Sequence, residues 1–110
     1  MTNVTLYTDE TGEILKGFCV RDHSGFDDKG RDIVCAAVSV LTINTINAIE
    51  QFTEEKPMVR QDKDSITCHF DKAPGRDTEL LLKTFRLGVE SIRSEYGEHV
   101  RLEFGRYKSC

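Results

Sequence analysis

The start of the chain alternates polar and apolar residues, the pattern of half-buried β-strands. Residues 3–8 alternate with β-prone side chains, Thr11-Gly12 interrupts the pattern, and a second extended run covers residues 13–21. Two strand-like runs around a turn signal predict a β-hairpin. In the second run, Ile14, Phe18 and Val20 fall on one face, and Leu15, Gly17 and Cys19 fall on the other.

Two longer segments show helical spacing instead. Residues 33–52 contain no Gly or Pro, and Pro57 follows them, which predicts a long, largely buried helix. Its apolar side is formed by Val34, Val38, Leu41 and Thr45. Residues 78–96 predict an amphipathic second helix that ends at Gly97. Its apolar side is formed by Leu81, Phe85, Val89 and Ile92.

Three short segments complete the predicted elements. Residues 58–61 and 65–70 flank Asp62-Lys63-Asp64 and predict a second hairpin, while alternation over residues 99–107 predicts a final strand. The order is therefore β-β-α-β-β-α-β. Because each helix must bury an apolar side, the expected fold class is α+β, with two helices packed on a mixed β-sheet.

Composition and charge narrow the functional classes. A length of 110 residues predicts a single domain over residues 1–110. No apolar run approaches the roughly 20 residues of a membrane span, and no secretory leader is visible, so a cytoplasmic protein without a membrane association is expected. A net charge of −4 disfavours direct nucleic-acid binding and suits a basic partner.

The cysteines do not form a metal-binding pattern. Four of them are widely scattered, without the paired Cys/His spacing of structural zinc sites. No metal or other cofactor is expected. In a reducing cytosol, the four thiols are expected to be separate and free. Cys68 and His69 adjoin in a predicted strand, where neighbouring side chains point to opposite faces, so they make a poor catalytic pair.

The run from His23 to Cys35 carries the candidate chemistry. An imidazole and a thiol bracket a polar loop over residues 24–32, in which Gly25 and Gly30 would let the loop order around a peptide. Cys35 would occupy about the third position of the first helix, where free N–H groups and the helix dipole favour a thiolate and an oxyanion. These features predict a cysteine hydrolase, although many free cysteines are simply buried and inert.

Three neighbouring residues are candidates for supporting roles. Asp32 is a good helix cap, or its carboxylate orients the imidazole as the third member of a triad. Asp22 adjoins His23, and its carboxylate would favour the imidazolium if the two side chains met. Ser39 lies one helical turn beyond Cys35 and either hydrogen-bonds near the thiol or is a small residue that fits the packing.

These residues carry a resemblance to a known family. The stretch Asp22-His23-Ser24-Gly25 through Gly30-Arg31-Asp32-Ile33-Val34-Cys35-Ala36-Ala37-Val38-Ser39 closely resembles the signature of the ribosomal-processing cysteine protease Prp family. In that signature, a His before a flexible loop and a Cys in a D-x-[IV]-C-[AS]-A-[VI]-S run form the catalytic dyad. Chain length, element order and Gly88 in the second helix also resemble the family.

The resemblance implies a cytoplasmic, homodimeric endopeptidase without a cofactor. Its substrate would be the N-terminal extension of large-subunit ribosomal protein twenty-seven of the L series, a basic partner. His23 would be the general base or imidazolium partner and Cys35 the nucleophile, with Asp32 and Ser39 in support. One position departs from the family, which commonly has Gly where Asp22 stands. The alternative is a non-catalytic ribosome-assembly or protein-tail-binding module, in which Cys35 only packs.

Overall fold

A five-stranded mixed sheet forms the framework of the fold. The computed structural model describes residues 1–22 and 29–107, with the backbone only for residues 29–32. The strands are β1 (Thr2–Thr8), β2 (Leu15–Asp22), β3 (Met58–Gln61), β4 (Ser65–His69) and β5 (Val100–Gly105). They lie in the order β3-β4-β2-β1-β5. Strands β1 and β5 are parallel, and the other neighbouring pairs are antiparallel.

Two helices, α1 (Lys29–Phe52) and α2 (Arg76–Glu95), cover one face of this sheet. Phe18 of β2 and Phe85 of α2 stack at the centre of the core, with ring centroids 4.1 Å apart. Val34, Val38 and Ile49 of α1 are fully buried in the same cluster. The predicted α+β class, the mixed sheet and the order β-β-α-β-β-α-β are confirmed.

The start of α1 differs from the prediction. The sequence predicts a loop over residues 24–32 and a helix from Ile33, whereas α1 begins at Lys29. The predicted loop is therefore wrong for residues 29–32, and residues 24–28 lie outside the described part of the chain. Glycine costs about 1 kcal/mol in a helix, and burial of the Val34 and Val38 side of α1 outweighs this local cost. Gly30 is helical, and Asp32 lies in the first turn rather than before it.

A β-bulge corrects the predicted faces of β2. Tyr7 pairs with Gly17, but Thr8 pairs with Leu15, so Lys16 is an extra residue in β2. Beyond an extra residue, the side chains of a strand that would face one side of the sheet face the other. Leu15 therefore joins Phe18 in the buried core instead of facing the opposite side.

Helix α1 is also long and apolar enough, over Ile33–Phe52, to meet a length and composition criterion for a membrane span. The expectation that no apolar segment approaches this length is therefore wrong. Core helices of globular proteins meet the same criterion, and α1 packs Val34, Val38 and Ile49 into the core. The criterion alone is weak support for a membrane association.

Candidate active site

Cys35 lies in the second turn of α1, beside the end of β2. It is the seventh residue of the helix, counted from Lys29, and its residue is partly exposed. A backbone N–H at this position pairs with the carbonyl four residues earlier. The predicted role of free helix N–H groups at Cys35 is therefore wrong, because only the first four residues of a helix keep such groups.

The Asp22 side chain contacts the thiol directly. Cys35 Sγ donates a hydrogen bond to Asp22 Oδ2 at 3.0 Å. The Asp22 backbone N–H donates to the Asp64 carbonyl at 3.0 Å, which fixes the end of β2 against the β3–β4 turn. The other carboxylate oxygen, Asp22 Oδ1, is buried without a hydrogen-bond partner among the described residues. The carboxylate is thus held against the thiol, and its second oxygen has no partner among residues 1–22 and 29–107.

A cavity of about 370 Å³ opens beside these two residues. Its wall from α1 includes Cys35, Ser39, Thr42 and Ile43, and its wall from the sheet includes Val20, Asp22 and Ile66. The β3–β4 turn, Asp62-Lys63-Asp64, lies along the remaining side. The cavity therefore combines an apolar lining with a charged rim, as small peptide- and ligand-binding clefts do.

The structure brings together only part of the predicted site. Cys35, Ser39 and Asp22 line one cavity, whereas the sequence suggested that the Asp22 carboxylate lies beside the His23 imidazole. The supporting roles of Ser39 and Asp22 stay predictions. His23 and Gly25 lie outside the described residues. The backbone of Asp32 and Gly30 is helical. Asp32 is therefore not the N-cap of α1, and Gly30 does not lie in a loop. The pairing of His23 with Cys35 stays a prediction.

The remaining described cysteines do not compete for the role of nucleophile. Cys68 is fully buried, and burial raises the pKa of its thiol to about 12. Cys19 is disulfide-bonded. The prediction of four separate free thiols is therefore wrong at Cys19, because spacing along the chain does not show which cysteines the fold brings together.

His69 lies away from the cavity and is not a candidate base for Cys35. It is buried at the opposite end of β4 from the cavity and stacks on Tyr107, with ring centroids 3.7 Å apart. Burial is the main cause that lowers the pKa of His69. Among residues 1–22 and 29–107, no group of three or more His, Cys, Asp or Glu side chains forms a metal-binding cluster.

The β3–β4 turn contributes to this site, although the sequence patterns did not predict it. The turn reaches Asp22 because β2 pairs antiparallel with β4, with Arg21 opposite Ser65. That pairing joins residues more than forty positions apart, and local patterns do not encode it. The usable signal was the charged turn itself, Asp62-Lys63-Asp64, between two strand-like runs.

Comparisons with known proteins agree with this geometry. Residues 1–101 match the family model described as cysteine protease Prp. A ribosomal processing cysteine protease Prp from Staphylococcus aureus is 27% identical over 106 residues, which cover 94% of this chain and 99% of that protein.

Solved structures give the same fold. A crystal structure of an essential ribosomal processing protease Prp from S. aureus with a substrate peptide superposes with a TM-score of 0.86, at 24% identity, covering 94% of this chain and 99% of that one. A second S. aureus structure, with a covalently linked product peptide, has a TM-score of 0.82 at 25% identity and the same coverage of 94% and 99%.

Proposed function

Because this chain belongs to the cysteine protease Prp family, we propose that it is a cysteine endopeptidase with Cys35 as its nucleophile. The observation that carries the proposal is the position of the Cys35 thiol, partly exposed on a cavity of about 370 Å³. A nucleophilic cysteine needs such an accessible position next to a substrate-sized cleft. Cys68 offers no alternative, because it is fully buried.

The proposed reaction proceeds through a thioester. The Cys35 thiolate attacks the carbonyl carbon of the scissile peptide bond, and His23 transfers a proton to the leaving amine. The carbon–nitrogen bond breaks, and the N-terminal fragment of the substrate stays attached to Cys35. Water then hydrolyses the thioester and returns the thiol. Neither step requires a metal or an organic cofactor.

We propose a ribosomal protein as the substrate, namely the N-terminal extension of large-subunit ribosomal protein twenty-seven of the L series. The S. aureus relative is a ribosomal processing protease, and one of its structures holds a product peptide. In this chain, Val20, Ile43 and Ile66 give the cavity an apolar lining that suits hydrophobic side chains of an extended peptide. The net charge of −4 suits a basic ribosomal protein.

We further propose that the enzyme is a cytoplasmic homodimer, and the outer side of α1 supports this assembly. Ile33 and Val40 lie about two helical turns apart on the same side of α1 and are 52% and 70% exposed. Large apolar side chains grouped on one helix face are typical of protein interfaces. A second copy of this chain is the partner proposed here.

The test is the cleavage of a peptide that spans the extension junction, followed by mass spectrometry. Wild-type protein is compared with Cys35→Ala and His23→Ala, and a scrambled peptide is the control for sequence selectivity. Specific cleavage by the wild type alone supports the proposal. Binding of the peptide without cleavage by folded wild-type protein overturns it in favour of a protein-tail-binding module.

A further inference from the structure

We propose that Asp22 is a positioning residue that restrains the nucleophile, because its carboxylate holds Cys35 as a neutral hydrogen-bond donor. The inference rests on the proposed function only in identifying Cys35 as the nucleophile. It predicts that Cys35 reacts at a higher pH than it would without the carboxylate.

In the contact between Cys35 and Asp22, the thiol donates and the carboxylate accepts, as the restraint requires. A carboxylate offers only acceptor atoms, so the 3.0 Å contact between Cys35 Sγ and Asp22 Oδ2 uses the thiol proton. Loss of that proton removes the hydrogen bond and places a thiolate against a carboxylate. Like charges at this separation repel, and a partly buried position screens them less than bulk water does. Both effects favour the neutral thiol.

The backbone keeps the carboxylate in place. The Asp22 N–H is bound to the Asp64 carbonyl, and Asp22 is the last residue of β2, opposite Thr2 of β1. The end of β2 is therefore fixed by the neighbouring strand and by the β3–β4 turn. The Asp22 side chain is held beside α1 rather than free to move into solvent.

The other charged groups that line the cavity are two carboxylates and one lysine, so they add no net positive charge to it. Asp62, Lys63 and Asp64 face the same cavity from the β3–β4 turn. Arg60 forms an ion pair with Asp62 at 3.3 Å, which leaves that carboxylate partly neutralised. From α1 the cavity receives Cys35 and the uncharged Ser39. Arg21 precedes Asp22 on β2 and is exposed, and His23, which follows Asp22, lies outside the described residues.

Asp22 Oδ1 indicates how the restraint is released. This atom is buried and has no hydrogen-bond partner among the described residues, and a buried unpaired acceptor favours the arrival of a donor. A cationic or N–H donor that binds Oδ1 would neutralise the carboxylate and lower the repulsion on the thiolate.

The test measures the alkylation of Cys35 by iodoacetamide as a function of pH. The thiolate displaces iodide, and mass spectrometry of the Cys35-containing peptide gives a rate for that residue alone. For Asp22→Asn we expect the midpoint of the rate profile to move to lower pH by about one unit. This shift corresponds to a rate about tenfold higher near neutral pH.

Two further variants separate the contact from general effects. Asp22→Ser also removes the charge and is expected to shift the profile in the same direction. Asp62→Asn removes a carboxylate from the same cavity without touching the thiol, and a much smaller shift is expected. Absence of alkylation at the buried Cys68 shows that each variant is folded. An unchanged or slower Cys35 rate in both Asp22 variants would overturn the inference.

The same samples distinguish this inference from the proposed function. A shifted alkylation profile in a protein that never cleaves the junction peptide would leave the Asp22 restraint intact and refute the protease proposal. Cleavage by wild type, combined with an unshifted alkylation profile in the Asp22 variants, would support the protease proposal and refute the Asp22 restraint. The alkylation rate does not depend on peptide binding, so the two results are independent.

Discussion

The Cys35 thiol donates a hydrogen bond to the Asp22 carboxylate, with Sγ and Oδ2 3.0 Å apart. This contact joins the second turn of α1 to the last residue of β2. It places the partly exposed Cys35 thiol at a cavity, between an apolar helix and a charged turn.

Cys68 should remain unreactive in the folded protein. Burial raises the pKa of its thiol to about 12, so almost no thiolate is present near pH 8. Alkylation followed by mass spectrometry should modify Cys35 in the native protein and should modify Cys68 only after unfolding in guanidinium. Equal modification rates for Cys35 and Cys68 in the native state would contradict this assignment.

Acid should destabilise the fold partly through His69. Burial lowers the pKa of His69 below its ordinary value of 6.5, so the folded state binds its proton less readily than the unfolded state does. The stability that neutral His69 contributes is fully present above pH 6.5 and is lost as the pH falls through the lower folded-state pKa. Urea unfolding between pH 5 and 8 measures this slope.

The matched variant for that experiment is His69→Phe, which keeps an aromatic ring against Tyr107. Asp71, 3.8 Å from His69, opposes the shift, and Lys16 adds to it, so both residues are left unchanged. The variant should lose part of the dependence of unfolding free energy on pH in this range. An identical slope in wild type and variant would show that His69 does not contribute.

Replacement of Gly17 in β2 should destabilise the fold strongly. Gly17 has a φ of +149°, and a Cβ atom there would collide with the backbone carbonyl of Cys68. Gly17→Ala should lower the free energy of unfolding by about 3 kcal/mol, because strain and a backbone clash add together. Gly105→Ala, which meets open space, should change it by less than about 0.5 kcal/mol. Similar midpoints in urea unfolding for both variants would refute the explanation.

A charge on the outer side of α1 should dissociate the proposed dimer. Val40 is 70% exposed there, so Val40→Glu should not disturb the core but would bury a charge in the interface. Size-exclusion chromatography with light scattering should give a dimer for wild type and a monomer for Val40→Glu. Leu87→Glu, at a residue 64% exposed on α2, should remain dimeric. A monomeric wild-type protein would refute the proposal.

Local sequence patterns predicted the elements that are marked by turn residues or by regular spacing of apolar residues. The β3–β4 hairpin follows from the turn Asp62-Lys63-Asp64, and Pro57 precedes its first strand. Helix α2 follows from apolar spacing that buries Leu82, Phe85 and Val89. In these segments, one consistent pattern of burial and turn residues agrees with the fold.

The remaining features depend on contacts between distant parts of the chain. The bulge at Lys16 is set by the pairing of β1 with β2. The first turn of α1 contains Gly30, which locally favours a loop, and is stabilised by packing of the rest of the helix. The Asp22–Cys35 hydrogen bond depends on where the end of β2 meets α1. Sequence analysis identified both residues as site residues, but adjacency to His23 suggested a contact with the imidazole rather than with the thiol.

The most direct test of the central claim is detection of the thioester on Cys35. Wild-type protein is mixed with the junction peptide, the reaction is quenched with acid within one turnover, and the digested protein is examined by mass spectrometry. We expect the N-terminal fragment of the substrate on the Cys35-containing peptide, and no adduct in Cys35→Ala. Cleavage that proceeds without any adduct on Cys35, or with the adduct on another cysteine, would contradict the assignment of Cys35 as the nucleophile.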